Sequence, residues 1–165
     1  MGLMLRPATP ADEPFLYQLV HDTMAEQLLA SAWDPKIREP LLKMQIEGQR
    51  VSYAAQFPAA DYGIIVYDDA DIGRLILDRG PQYHTLVDIT LLAKHRGSGI
   101  GTWLLRAICT EAELMRKPIR LHVQVTNRAK NLYQRLGFRT IEDYQVGLLM
   151  ERAPGTISLV SLANS

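Results

Sequence analysis

The chain has no net charge: 18 basic residues are balanced by 18 acidic ones. Bulk neutralisation of phosphates needs a surplus of Lys and Arg, so no nucleic-acid partner is expected. Cys109 is the single cysteine. An intrachain disulfide and metal sites built from paired cysteines are thereby excluded, no histidine cluster has metal-ligand spacing, and a reducing compartment is expected. No run approaches the roughly 18 apolar residues of a membrane span. The start "MGLMLRPATPADE" has neither the basic opening nor the apolar core of a secretion signal, so a cytoplasmic location without membrane contact is expected. Internal repeats and low-complexity linkers are absent too. What remains is 165 residues, 47% hydrophobic and 22% charged. That is the composition of an ordinary globular domain able to bury roughly 70% of its unfolded surface around one core.

The periodicity orders the elements. "LMLRPA" reads as a short strand, and Thr9-Pro10 opens a helix whose face carries Phe15, Leu16, Leu19, Val20 and Thr23. Asp34-Pro35 starts a second helix, with Ile37, Leu41, Met44 and Gln45 at helical spacing to about residue 50 and Pro40 expected to kink or break it. "YGIIVYDDADIGRLILDRG" reads as an antiparallel hairpin. "QYHTLVDITLL", residues 82–92, is apolar on both faces near its end, as a strand in mid-sheet would be. A glycine loop follows, then a helix with Ile100, Trp103, Leu104, Ala107, Ile108 and Met115 on one face. "IRLHVQV" alternates as a strand, "NRAKNLYQRLGF" is a helix closed by Gly137, and "FRTIEDY" and "QVGLLMER" are further strands. This order predicts an α/β fold, one mixed sheet with helices on its faces. A domain over 1–152 is expected to precede an uncharged tail over 153–165.

The segment "HRGSGIG" leaves the central strand and opens a helix. Such a loop aims several backbone N–H groups at one spot, where the helix dipole also favours negative charge. Gly97, Gly99 and Gly101 permit close approach or positive φ, Arg96 supplies a charge, and Ser98 and Thr102 supply hydroxyls. A phosphate or pyrophosphate is the expected anion, although glycines could merely shape a tight turn. A P-loop would need a Lys after the glycines, and none is there. A dinucleotide fingerprint would need a third glycine where Thr102 or Leu104 stands.

"RGSGIG" resembles the acyl-CoA signature of the GNAT superfamily of N-acetyltransferases, Arg/Gln-x-x-Gly-x-Gly/Ala, with Arg96, Gly99 and Gly101 at the defining positions. "NRAKNLYQRLGF" resembles the family's downstream segment through Asn127, Ala129, Tyr133, Gly137 and Phe138. The resemblance in element order covers residues 3–151. It implies a mostly antiparallel sheet, flanked by helices on both faces, whose two central parallel strands splay to admit coenzyme A. It also implies acetyl-CoA as cosubstrate, without a metal. Main-chain atoms of Leu91, Leu92 and Ala93 and the loop Arg96, Gly97, Ser98, Gly99, Ile100, Gly101 and Thr102 would hold it, with Asn127 as a further contact or a helix cap. Ala93 stands where many members carry proline.

Acetyl transfer to an amine needs an oxyanion stabiliser, a proton for the departing thiolate and a neutral amine. A backbone N–H near Leu91 suits the first need, and Tyr133 resembles the family's thiolate-protonating tyrosine. Asp88 and His84, on one face of the central strand, are candidates for the third. A structural pairing of Asp88 with Arg74 or Arg79 is the alternative for that carboxylate. Trp33, Tyr53, Phe57 and Tyr144 are aromatic residues in segments that shape the acceptor pocket in this family; a small-molecule or peptide amine is the expected partner. Dimerisation through the last strands is compatible with the sequence. A non-catalytic acyl-CoA sensor and a dinucleotide oxidoreductase are the competing readings.

Overall fold

The computed structural model describes residues 2–29 and 34–155. Trp33 and the tail from residue 156 onward therefore lie outside the described residues. The chain opens with β1 (Leu3–Pro7) and a helical turn at Pro10–Asp12 that runs into α1 (Glu13–Leu29). The start is tied down by charge. Arg6 donates to both carboxylate oxygens of Asp12, at 2.9 and 2.8 Å, and to Asp71 at 3.1 Å, while the Thr9 N–H donates to Asp12 at 2.8 Å. The Arg6 guanidinium first, and the Thr9 N–H second, hold the Asp12 carboxyl well below the usual carboxylate range. On α1 the expected face is found: Leu19 and Val20 are buried.

Asp34 caps α2 (Pro35–Gln56), its side chain accepting from the Lys36 N–H at 2.9 Å. Two expectations are corrected here. The helix runs without a break through Pro40 and ends at Gln56 rather than near residue 50. So close to the N-terminus, the missing proline N–H forfeits a bond only to the carbonyl of Lys36. The apolar face also differs. Ile37 and Met44 are exposed, whereas Leu42 is fully buried, and Ile46, Gln49 and Tyr53 continue its stripe at helical spacing.

β2 (Asp61–Tyr67) and β3 (Ala70–Arg79) form the hairpin, turning through Asp68 and Asp69 at φ 48° and 64°. Two consecutive left-handed residues make the turn whose twist matches that of antiparallel strands, and aspartate tolerates the conformation. After β4 (His84–Leu91) come α3 (Ile100–Leu114), β5 (Ile119–Gln124), α4 (Ala129–Arg135), β6 (Arg139–Asp143) and β7 (Gly147–Arg152). The fold class is α/β. Seven strands form one mostly antiparallel sheet in the order β1-β2-β3-β4-β5-β7-β6, with β4 in the middle and flanking helices. β4 and β5 are its parallel pair, with His84, Thr85 and Leu86 opposite Ile119, Arg120 and Leu121. Both strands run on beyond these three pairs, β4 by five residues to Leu91.

Contacts gather the chain into two compact units. The first holds β1, α1, α2, β2, β3 as far as Ile76, and Asp88–Arg96; Leu19, Leu42, Ile64, Ile65, Ile72 and Ile76 form its core. The second holds Leu77–Val87 and the chain from Gly97 onward, around Leu104, Leu105, Ile108, Ile119, Phe138 and Met150. On α3 the expected face is half right. Leu104 and Ile108 are buried, joined by Leu105, Cys109 and Ala112, while Trp103 and Met115 are exposed. The buried Arg152 donates to the Leu136 carbonyl at 2.9 Å and to Glu113 at 3.1 Å, and the Gly155 N–H reaches Glu113 at 2.6 Å.

Candidate functional site

The end of β4 is shaped by a glycine on its neighbour. A Cβ on Gly73 would collide with the Thr90 carbonyl oxygen and with Leu91, so the two backbones approach as only glycine allows. The Leu92 N–H donates to the Ile72 carbonyl at 2.8 Å. The chain then makes a helical turn over Ala93–His95, in which the Leu92 and Ala93 carbonyls accept from the N–H groups of His95 and Arg96. Each carbonyl keeps a second lone pair for another donor. Arg96 folds back, its Nε donating to the Leu91 carbonyl at 3.2 Å and its Nη1 to Glu26 of α1 at 2.6 Å. Leu91, Leu92, Ala93 and Arg96 thereby line a cavity of about 300 Å³ together with α1 residues that include Thr23 and Glu26.

In the second unit, Gly97 and Gly99 have φ of 71° and 87°, and Gly99 delivers the chain into α3, its carbonyl accepting from the Trp103 N–H at 3.0 Å. These two glycines are required by the backbone. Gly101 is different. It lies in the first turn of α3, is not among the residues of positive φ, and a Cβ there would meet nothing within 4 Å. Neither conformation nor packing within the protein calls for a glycine at this position. The first-turn N–H groups of a helix have no partner within it, and a bare backbone beside them lets an anionic ligand come close.

Asp88 is engaged on one side. Its Oδ2 accepts from Arg74 Nε at 2.7 Å and from the Thr90 hydroxyl at 2.9 Å, while Arg74 Nη2 donates to Gln49 at 2.8 Å. The pair is largely shielded, with side-chain exposures of 11% for Arg74 and 18% for Asp88. Of the two arginines named for this carboxylate, Arg74 is the partner; Arg79 instead binds Glu111 at 2.7 Å. No hydrogen bond to Asp88 Oδ1 occurs among the described residues. Arg74 also lines the larger cavity of the first unit, about 430 Å³, where it is joined by Tyr53 and Gln49. Burial, and after it the Asp88 charge, push the Tyr53 phenol up to about 12. It is therefore an O–H donor at neutral pH.

The remaining expected residues lie on several elements. His84 is fully buried at the start of β4, with neither ring nitrogen hydrogen-bonded among the described residues, and burial pushes its imidazole below the usual histidine range. It is seven residues upstream of Leu91 on an extended strand, on the order of 20 Å at about 3.3 Å per residue. Asn127 lies just before α4, its Oδ1 accepting from the Ala129 N–H at 2.9 Å at the helix entry. Tyr133, on α4, is buried with its ring edge-on to Phe138 at 5.8 Å between centroids. Tyr144 meets His122 at 3.2 Å, and Phe57 closes α2. Glu26 and Gln49 escaped sequence reasoning because their partners are distant in the chain. Gly73 carried a legible signal, an isolated glycine inside a strand pattern.

A family profile described as the acetyltransferase (GNAT) domain matches residues 59–140, which takes in the central strand, the glycine loop and α4. The chain belongs to the GNAT superfamily. Solved GNAT structures share its fold. PaiA N-acetyltransferase from Thermoplasma acidophilum, in complex with coenzyme A, aligns over 93% of this chain and 99% of its own, with a TM-score of 0.67 and 17% identity. A structure from Corynebacterium glutamicum, described as histone acetyltransferase HPA2 and related acetyltransferase, covers 96% and 100%, with a TM-score of 0.64 and 24% identity. A GNAT family acetyltransferase from Elizabethkingia anophelis with acetyl-CoA bound covers 92% and 97%, with a TM-score of 0.57 and 17% identity. A search by sequence among curated proteins found no match. Among the described residues no helix is long and apolar enough to cross a membrane, and no three metal-ligating side chains gather.

Proposed function

We propose that this GNAT chain is an N-acetyltransferase that passes an acetyl group from acetyl-CoA directly to a primary amine in a ternary complex. The observation that carries this reading is the strand-to-helix loop, and within it Gly101, a glycine that neither the backbone nor the packing requires. The acetyl donor supplies an activated thioester. Its pyrophosphate fits the loop Gly97–Thr102 at the N-terminus of α3. Arg96 can share its charge between Glu26 and a phosphate, and main-chain atoms of Leu91, Leu92 and Ala93 receive the pantetheine arm. The second carbonyl lone pairs are the atoms suited to that arm, since the Leu92 N–H is already spent on Ile72.

In the reaction the amine nitrogen forms the new C–N bond, the C–S bond breaks, and the thiolate takes a proton. A backbone N–H near Leu91 faces the developing oxyanion. Tyr133 gives its hydroxyl proton to the departing sulfur and regains one from solvent. Asp88 accepts an N–H of the acceptor amine through Oδ1, the oxygen that Arg74 and Thr90 leave open, and so orients the nitrogen lone pair. The amine releases its surplus proton to water. Asn127 contributes by binding the Ala129 N–H at the start of α4, which carries Tyr133.

Free-thiol release from acetyl-CoA in the presence of an amine panel tests the reading, with thermal shifts by acetyl-CoA, CoA, NAD and ATP as the binding arm. Stabilisation by acetyl-CoA and CoA together with amine-dependent thiol release is expected. Stabilisation by acetyl-CoA with no thiol release from any amine would make the chain a sensor, and stabilisation by NAD alone would make it a dinucleotide binder.

A further inference from the structure

The acetyl-transfer reading gives no task to the cavity of about 430 Å³ in the first unit. We propose that this cavity receives the acceptor, and that the acceptor is a small amine with an aromatic or branched apolar body. The inference rests on the transfer reading and names the substrate class of that site.

Its volume lies in the range of small-molecule sites, which are mostly apolar with a few placed polar groups. Val20, Ile46 and Ile76 supply apolar wall, and Tyr17, Tyr53 and Tyr62 supply aromatic surface. Ring faces and edges favour a flat or branched body over a linear chain. Its volume also exceeds what the four-methylene stem of a lysine would fill. One polar wall holds Arg74, bonded through Nε to Asp88 on β4, three residues before Leu91, where the thioester is placed. An acceptor that lays its body among the tyrosines can thus direct its amine toward Asp88 Oδ1.

The charges around the cavity argue against a polycation. A linear polyamine needs several unspent carboxylates. Here both Glu47 oxygens are taken by Arg50, at 2.6 and 3.0 Å. That leaves Glu13 as the one lining carboxylate outside an ion pair, opposed by the exposed Lys43. A field of mixed sign selects neither a polyamine nor an acidic peptide.

The test measures thiol release by the full chain at saturating acetyl-CoA with three probes: 2-phenylethylamine, spermidine and a lysine-containing peptide with a free N-terminus. Binding of 2-phenylethylamine is measured separately by calorimetry in the presence of CoA. The expected result is a kcat/KM for 2-phenylethylamine at least about tenfold above the other two. Filling the cavity by Ile46→Trp, or more gently by Ile46→Phe, is expected to raise its KM by about tenfold or more, in line with what a few misplaced atoms cost in an apolar pocket. The thermal shift by acetyl-CoA, which also reports folding of each variant, should be unchanged. A preference for spermidine or peptide, or unchanged 2-phenylethylamine kinetics in whichever variant folds, would overturn the assignment. Failure of the transfer reading looks different. In that case no amine releases thiol, while binding of 2-phenylethylamine and its loss in the filled variant would still support the cavity as its site; absence of that binding would overturn it.

Discussion

In the proposed reaction Tyr133 donates a proton and Asp88 orients the amine, and each role can be separated from a packing role. Loss of the Tyr133 hydroxyl leaves the ring on Phe138 and removes the proton proposed for the departing sulfur. Tyr133→Phe is therefore expected to lower kcat by about 10²-fold, the low end of general acid catalysis because a thiolate is a tolerable leaving group, with little change in acetyl-CoA affinity. Steady-state kinetics check this, and an effect confined to KM would assign Tyr133 to binding. Asp88→Asn keeps the shape but weakens a hydrogen bond to the Arg74 guanidinium, a loss of about 1.5–3 kcal/mol in thermal or urea unfolding. If Asp88 orients the amine through Oδ1, kcat/KM falls at every pH and the pH profile keeps its shape. Recovery toward wild-type rates at high pH, where the amine is neutral unaided, would make Asp88 a proton acceptor instead.

Among the elements, β4 and its glycine-bearing neighbour β3 set the backbone of the proposed cofactor contacts. Gly73→Ala places a methyl against the Thr90 carbonyl and Leu91. Strand repositioning should cost about 1–3 kcal/mol, with weaker acetyl-CoA binding as the second readout; unchanged unfolding and binding would show that the close approach is incidental. The strands and the glycine loop were legible in the sequence because a sheet residue has two faces to choose from and glycine has few substitutes. Phase on the helices was harder to read. Exposed apolar residues such as Met44 on α2 and Trp103 on α3 pulled the apparent stripe about one residue away from the buried one, since burying Leu42 or Leu105 depends on what packs there. Pro40 was misjudged for a related reason: its cost depends on distance from the helix start. The Arg74–Gln49 and Arg96–Glu26 links were unreadable, because they join residues 25 and 70 positions apart.

For the molecule as a whole, acid stability is the property on which a buried histidine bears most directly. His84 is sealed without a hydrogen-bond partner among the described residues. Burial lowers its imidazole, and the charges of Glu111, Lys117, Arg79 and Asp78 act on it with opposing signs. The unfolded chain takes up a proton below about pH 6.5 while the folded chain resists it. Stability from this group is thus complete above that pH and declines as pH falls, by at most about 1.4 kcal/mol per pH unit. Urea unfolding at pH 7.5 and 5.5 should show a smaller loss for His84→Phe than for wild type; equal losses would mean that His84 takes up its proton while folded.

Acyl-CoA binding at the glycine loop is the premise of the proposed function, and Gly101→Val probes it. Valine is no poorer a helix former than glycine, and an added Cβ meets nothing within 4 Å, so the unfolding temperature should hold. Calorimetric titration with acetyl-CoA should nevertheless show at least about a tenfold rise in Kd, roughly 1.4 kcal/mol, because the side chain would occupy the space proposed for the pyrophosphate. An unchanged Kd in the folded variant would contradict the cradle, and with it the assignment of acyl-CoA to this loop.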